Sequence, residues 1–138
     1  DIIRSYMVHL IDEDVKCRGP LRMAKKEGDA RKIEACRQTA LSICTEIINM
    51  MSQLIDMAKE LSAVCPAGAL CYAAEGTELA LTAVKITRMY IVSVAAQSPD
   101  ETYRYVTRRE NELTLEACSA AAAEVTAKAE ESLQTVHD

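Results

Sequence analysis

Asp12, Glu13 and Asp14 form the densest run of carboxylates in the N-terminal third of the chain. A carboxylate here could act as a general base, or bind a cationic or amide group of a substrate. His9 lies five residues before Asp14, so the two do not stack on a helix. Asp12 and Asp14 point to different faces, which is not the arrangement of a paired-carboxylate site. A solvated helix end is the default for such a cluster, because surface charge is the ordinary state of Asp.

The other polar groupings read in the same way. Arg108, Arg109, Glu110, Asn111 and Glu112 could line a pocket or interface, since Arg presents a planar fork suited to carboxylates. The plainer expectation is a solvated stretch with local charge pairing. Met50, Met51, Met57 and Met89 could make a pliable ligand pocket, although Met at helical spacing more often fills gaps in a core. Neither His9 nor His137 follows a Glu by three residues, so the Glu-x-x-His pairs of a diiron bundle are missing. No Gly-rich phosphate loop, nucleophile elbow or HExxH occurs.

Six Cys stand at 17, 36, 44, 65, 71 and 118. None has CxxC spacing and the two His lie near opposite ends, so a zinc site is not supported and no metal is expected. Cys36, Cys44 and Cys118 fall on apolar helix faces, where Cys behaves as a small hydrophobe in a reducing compartment. Free thiols and a cytoplasmic location are expected. Cys65 and Cys71, on either side of a loop, are the one pair placed to bridge or oxidise.

The elements that would carry these residues are helices. Asp29 to Ala63 contains no Gly or Pro and has two apolar lines. Ile33, Cys36, Ala40, Ile43, Ile47, Met50, Leu54, Met57 and Leu61 make the first. Leu41, Cys44, Ile48, Met51, Ile55 and Ala58 make the second. A surface helix needs a single apolar stripe, so two lines predict burial by the helix's own bundle and by a second chain. Asp29 is the expected N-cap, and Pro66 the stop. At 1.5 Å per residue the helix is on the order of 50 Å long.

Before it, a shorter helix is expected over 2–17, closed by Cys-Arg-Gly-Pro at 17–20, followed by a short basic turn or helix over 21–26 that Glu27–Gly28 ends. After it, a loop at 65–69 leads into a helix over 70–96, with Leu70, Ala73, Thr77, Ala80, Val84, Ile91 and Val94 inward. Ser98 should cap a last helix running to Val136, with Pro99 at its first position. Leu115, Cys118, Ala122, Val125, Ala129 and Leu133 form its main line. Tyr103, Val106, Leu113, Ala117 and Ala120 form its second. The expected fold is all-α, a single-domain antiparallel helical bundle over 1–138 with three long helices and one shorter helix, assembled as a homodimer.

Composition narrows the partners. The chain has no Trp and no Phe, so aliphatic residues and five Tyr must fill the core. Four Gly and three Pro are too few for the turns of a β protein. A net charge of −5 without a dense basic patch argues against nucleic acid and anionic membranes. No apolar run is long enough to span a bilayer. The opening DIIRSYM lacks an initiator Met, as expected of a piece processed or excised from something longer.

Several segments together resemble a known family. Leu10–Cys17 (LIDEDVKC), Ala40–Ile47 (ALSICTEI), Ala67–Ala74 (AGALCYAA), Leu79–Lys85 (LALTAVK), Arg88–Val94 (RMYIVSV) and Ser98–Tyr103 (SPDETY) are similar to the cyclodeaminase/cyclohydrolase family. This is the all-helical, dimer-forming domain of formiminotransferase-cyclodeaminase and of small methenyltetrahydrofolate cyclohydrolases. The resemblance implies a tetrahydrofolate derivative as ligand and elimination of ammonia, or hydrolysis of a methenyl bridge, with Asp14 as the catalytic residue that polarises or deprotonates. Cys71 and Tyr72 replace the family's Ser-Asp pair, and Tyr90 and Val94 replace its two Asn. Arg18 stands where an aromatic residue usually follows the Asp, and the family's Gly-rich N-terminal region has no counterpart. The implied member is truncated or diverged, with degraded catalysis. The alternative is a non-catalytic helical bundle that serves dimerisation or protein interaction.

Overall fold

A computed structural model describes residues 2–135; among them the chain is all-helical, with no strand. Helix α1 covers Ile2–Glu27, α2 Ala30–Ser62, α3 Ala67–Ala95 and α4 Glu101–Thr135. Val136, the expected end of the last helix, lies outside the described residues. No described helix is long and apolar enough to cross a membrane. Contacts divide the chain into two compact units, Asp1–Ile48 and Asn49–Asp138, and α2 contributes residues to both.

The first unit is a helical hairpin. Gly28 makes its turn with φ +72, which an L side chain rarely adopts, and donates its N–H to Ala24 O at 3.0 Å. Asp29 caps α2 as the sequence predicts, accepting from the amides of Arg31 and Lys32 at 3.0 and 3.2 Å. Glu27 and Lys32 pair beside the turn, and Tyr6 and Glu46 bond toward the hairpin's other end, so the helices run antiparallel.

One expectation is corrected here. α1 does not close at 17–20 but continues through Pro20 to Glu27, so no helix is markedly short. Proline removes one intrahelical bond and crowds the preceding turn. The line Leu10, Asp14, Cys17, Leu21 and Ala24 keeps its three- and four-residue spacing across Pro20, with both end residues buried. Burying that line in the hairpin offsets the local cost.

The second unit holds the end of α2 with α3 and α4. Ser52 Oγ lies 3.3 Å from Cys118 Sγ, Lys59 pairs with Glu124 at 3.1 Å, and Lys128 donates to Ser62 Oγ at 3.1 Å. Residue numbers rise together in these contacts, so α2 and α4 are parallel. The short 63–66 connection reverses the chain into α3, which packs against α4. Ile55, Val84 and Val125 are the largest fully buried apolar side chains, and buried Thr77 satisfies its hydroxyl on Ala73 O at 2.7 Å.

Helix starts differ slightly from expectation. α3 begins at Ala67, directly after Pro66, because proline's fixed φ and missing donor suit a helix start. α4 is capped by Asp100 rather than Ser98. The Asp100 carboxylate accepts from Tyr103 N at 3.0 Å, and Ser98 Oγ accepts from Asp100 N at 3.2 Å. Pro99 therefore precedes the helix.

The two lines of α2 are unequal. Leu41, Cys44, Ile48, Met51 and Ile55, all from the second, are buried. In the first only Ala40 is buried, and Met57 and Leu61 are exposed. The second line of α4 is likewise outward at Val106, Leu113, Ala117 and Ala120.

Candidate functional site around Asp14

Asp14 sits midway along α1, half-buried, facing the hairpin side of the helix. Its carboxylate accepts from the guanidinium of Arg18, one turn further on, which is largely in solvent. Its carbonyl accepts from Cys17 Sγ at 3.0 Å. The remaining acids of the cluster are separate. Glu13 pairs with Lys16 at 3.0 Å, and Asp12 is exposed. The Lys16 hydrogen bond and charge hold Glu13 below its ordinary pKa, and His9 adds to that pull. His9 thus acts on Glu13, one helical turn away.

Two thiols lie in the field of Asp14. Burial pushes the Cys44 thiol up to about 11, with Asp14 and Cys17 adding and Arg18 opposing. Burial also raises Cys17, with Asp14 second. Neither thiol is a thiolate near neutral pH, so neither is poised as a nucleophile.

A pH prediction follows from Cys44. Its folded pKa lies above its ordinary value of 9.0, so the folded state holds this proton more tightly. The associated stability is fully present below the unfolded pKa and disappears as pH rises through about 11. At pH 8, Cys44 should carry roughly a hundredfold less thiolate than an ordinary Cys. Alkylation mapped by mass spectrometry across pH 7–11 should modify it late. Modification at pH 8 as fast as a free thiol would refute this.

Tyr6 donates to Glu46 at 2.6 Å, and that bond is the main cause of its raised pKa. The sequence carries no sign of this contact, because only the hairpin register brings residues 6 and 46 together. Arg108 and Arg109 both reach Glu112, at 2.9 and 3.6 Å, and Asn111 donates to Thr107 O. This is local pairing on a solvated stretch, the plainer of the two expectations. Their combined bonds and charges hold Glu112 below its usual range.

All six Cys are free, including Cys65 and Cys71. Among the described residues, no group of three or more His, Cys, Asp or Glu is placed to hold a metal ion. The methionines divide: Met51 is buried, Met50 half-buried, and Met57 and Met89 exposed. Met57 lines an apolar groove of about 290 Å³ with Leu54, Leu61, Tyr72, Ala73 and Gly76. A more open depression along α3, bordered by α4, is lined by Glu75, Glu78, Leu79, Thr82 and Thr126. Asp14 lines neither.

Neither the models of known protein families nor the curated proteins match this chain.

Proposed function

We propose that this chain is a cyclodeaminase/cyclohydrolase-like helical domain of folate one-carbon metabolism in which catalysis is degraded and self-association as a homodimer is retained. The observation that carries the reading is the Asp14–Arg18 pair. Asp14 is the one position the resemblance marks as touching substrate, and Arg18 is a departure from the family's pattern at the position that would shape its surroundings. A guanidinium bonded to the carboxylate competes with any cationic or amide group of a ligand. The residues therefore fit a folate's polar groups only through a carboxylate already committed, and no step of ammonia elimination or methenyl hydrolysis is assigned to this chain. All-helical structure and six free thiols suit such a domain in the cytoplasm.

The test is calorimetric titration with a tetrahydrofolate derivative. Wild-type protein should release heat at sub-millimolar ligand, and Arg18→Ala, which frees the carboxylate, should bind more tightly. A second reading, the non-catalytic dimerisation or interaction module, is favoured by the exposed apolar side of α3. It would be selected by a dimer that gives no heat even at millimolar ligand.

A further inference from the structure

The hairpin unit holds three of the Cys residues: Cys17 on α1, and Cys36 and Cys44 on α2. Cys17 stands half-buried on the inward line of α1, and Cys44 is 6% exposed. Two cross-helix contacts set the register, Glu27 with Lys32 and Tyr6 with Glu46. Counted residue for residue from these two, Cys17 falls opposite about residues 35–42 of α2. The midpoint of that range lies between Cys36 and Cys44.

Side-chain direction selects one of them. Helical side chains lean toward the N-terminus of their own helix, so on antiparallel helices they lean in opposite senses. Cys17 Sγ leans back one turn and donates to Asp14 O at 3.0 Å. In this register that is toward Cys44, and Cys44 leans back toward Cys17, whereas Cys36 leans away toward Ile33. The electrostatics agree: Asp14 and Cys17 both act on the Cys44 thiol, while Cys36 is the least of the influences on Cys17. Packed helix axes run about 8–10 Å apart, with Cα atoms about 2.3 Å off each axis. Facing Cα atoms therefore come within the roughly 4.4–6.8 Å that a disulfide spans.

We infer that Cys17 and Cys44 are a reversible redox pair, which a small-molecule disulfide oxidises to a bond that locks α1, the helix carrying Asp14, onto α2. Cys17, the more accessible thiol, gives its proton to solvent and attacks one sulfur of the small disulfide. That S–S bond breaks and one small thiol leaves, taking up a proton. Cys44 then loses its proton and attacks Cys17 Sγ, and the second small thiol leaves protonated. Two protein thiols are oxidised and one disulfide is reduced to two thiols. Cys44 is closed to reagents in solution but not to a sulfur carried on Cys17. Because neither sulfur is a thiolate near neutral pH, exchange is slow there and the reduced pair is the resting state.

The test incubates the reduced full chain with oxidised glutathione at about pH 8.5, where thiolate is more abundant. Trypsin places Cys17, Cys36 and Cys44 in separate peptides, 17–18, 33–37 and 38–59. Mass spectrometry should find 17–18 joined to 38–59 with loss of two hydrogens, reversed by dithiothreitol. The oxidised chain should have a higher urea midpoint, because the bond restricts the unfolded hairpin. Cys17→Ser should leave Cys44 unmodified, and Cys44→Ala should strand the glutathione adduct on Cys17. Joining of 17–18 to 33–37 would overturn the choice of Cys44. A wild type that keeps glutathione on Cys17, or whose urea midpoint falls on oxidation, would overturn the facing geometry. A chain in which both thiols stay free would overturn the redox pair itself.

Discussion

Ile55→Ala is expected to destabilise the protein by about 2–5 kcal/mol, the usual cost of emptying a fully buried aliphatic site. Ile55 is 0% exposed in the three-helix unit, where α2 packs with α3 and α4. Truncation removes three methyl or methylene groups from dense surroundings, and helices pinned by Ser52–Cys118 and Lys59–Glu124 contacts can only partly collapse into the space. Leu61→Ala on the same helix is the matched control. Leu61 is 56% exposed, so its loss should cost less than about 1 kcal/mol. Urea unfolding of both variants checks the pair. Equal costs would contradict the assignment of the inward face of α2.

Pro20→Ala is the second large expected effect, and its sign is opposite. Pro20 lies inside α1, where it leaves the Lys16 carbonyl without its usual donor. A proline in a helix interior costs about 3 kcal/mol or more. Its restriction of the unfolded chain returns roughly 0.4–1 kcal/mol. Alanine should therefore stabilise the hairpin unit by about 2 kcal/mol, read as a higher urea midpoint. Gly19 immediately before it has open space around its Cβ position, so no neighbour obstructs a regular helix there. A Pro20→Ala protein less stable than wild type would show that α1 needs a bend at this point.

These two residues also mark where the sequence is readable. Proline is usually decisive: α2 ends at Ser62, ahead of Pro66 as expected, and Pro66 itself stands at the start of α3. Pro20 fails as a stop because Cys17, Leu21 and Ala24 continue the inward line on either side. Local breaker chemistry is legible in sequence; the tertiary burial that overrides it is not. Asp29 is legible because its cap bonds are local. Asp100 displaces Ser98 because both are cap formers two residues apart, and only backbone geometry decides which carboxylate or hydroxyl reaches the free amides.

The two lines of α2 show the same limit. Periodicity identifies both, but cannot rank them, since Ile47 and Ile48 are equally apolar. Packing buries Ile48 and leaves Ile47 half-buried. At the candidate site, Asp14 and its departure at Arg18 are visible as residues four apart, a spacing at which helical side chains meet. That they pair is consistent with this spacing. Tyr6–Glu46 and the proximity of Cys44 to Asp14 depend on hairpin register, for which the sequence has no local signal.

The most direct measurement of the proposed function is calorimetric titration of wild-type protein and Asp14→Ala with a tetrahydrofolate derivative. Heat at sub-millimolar ligand that falls in Asp14→Ala, with the helical circular dichroism of the variant unchanged, is the predicted result. No heat at millimolar ligand, with Asp14→Ala indistinguishable from wild type, would contradict it.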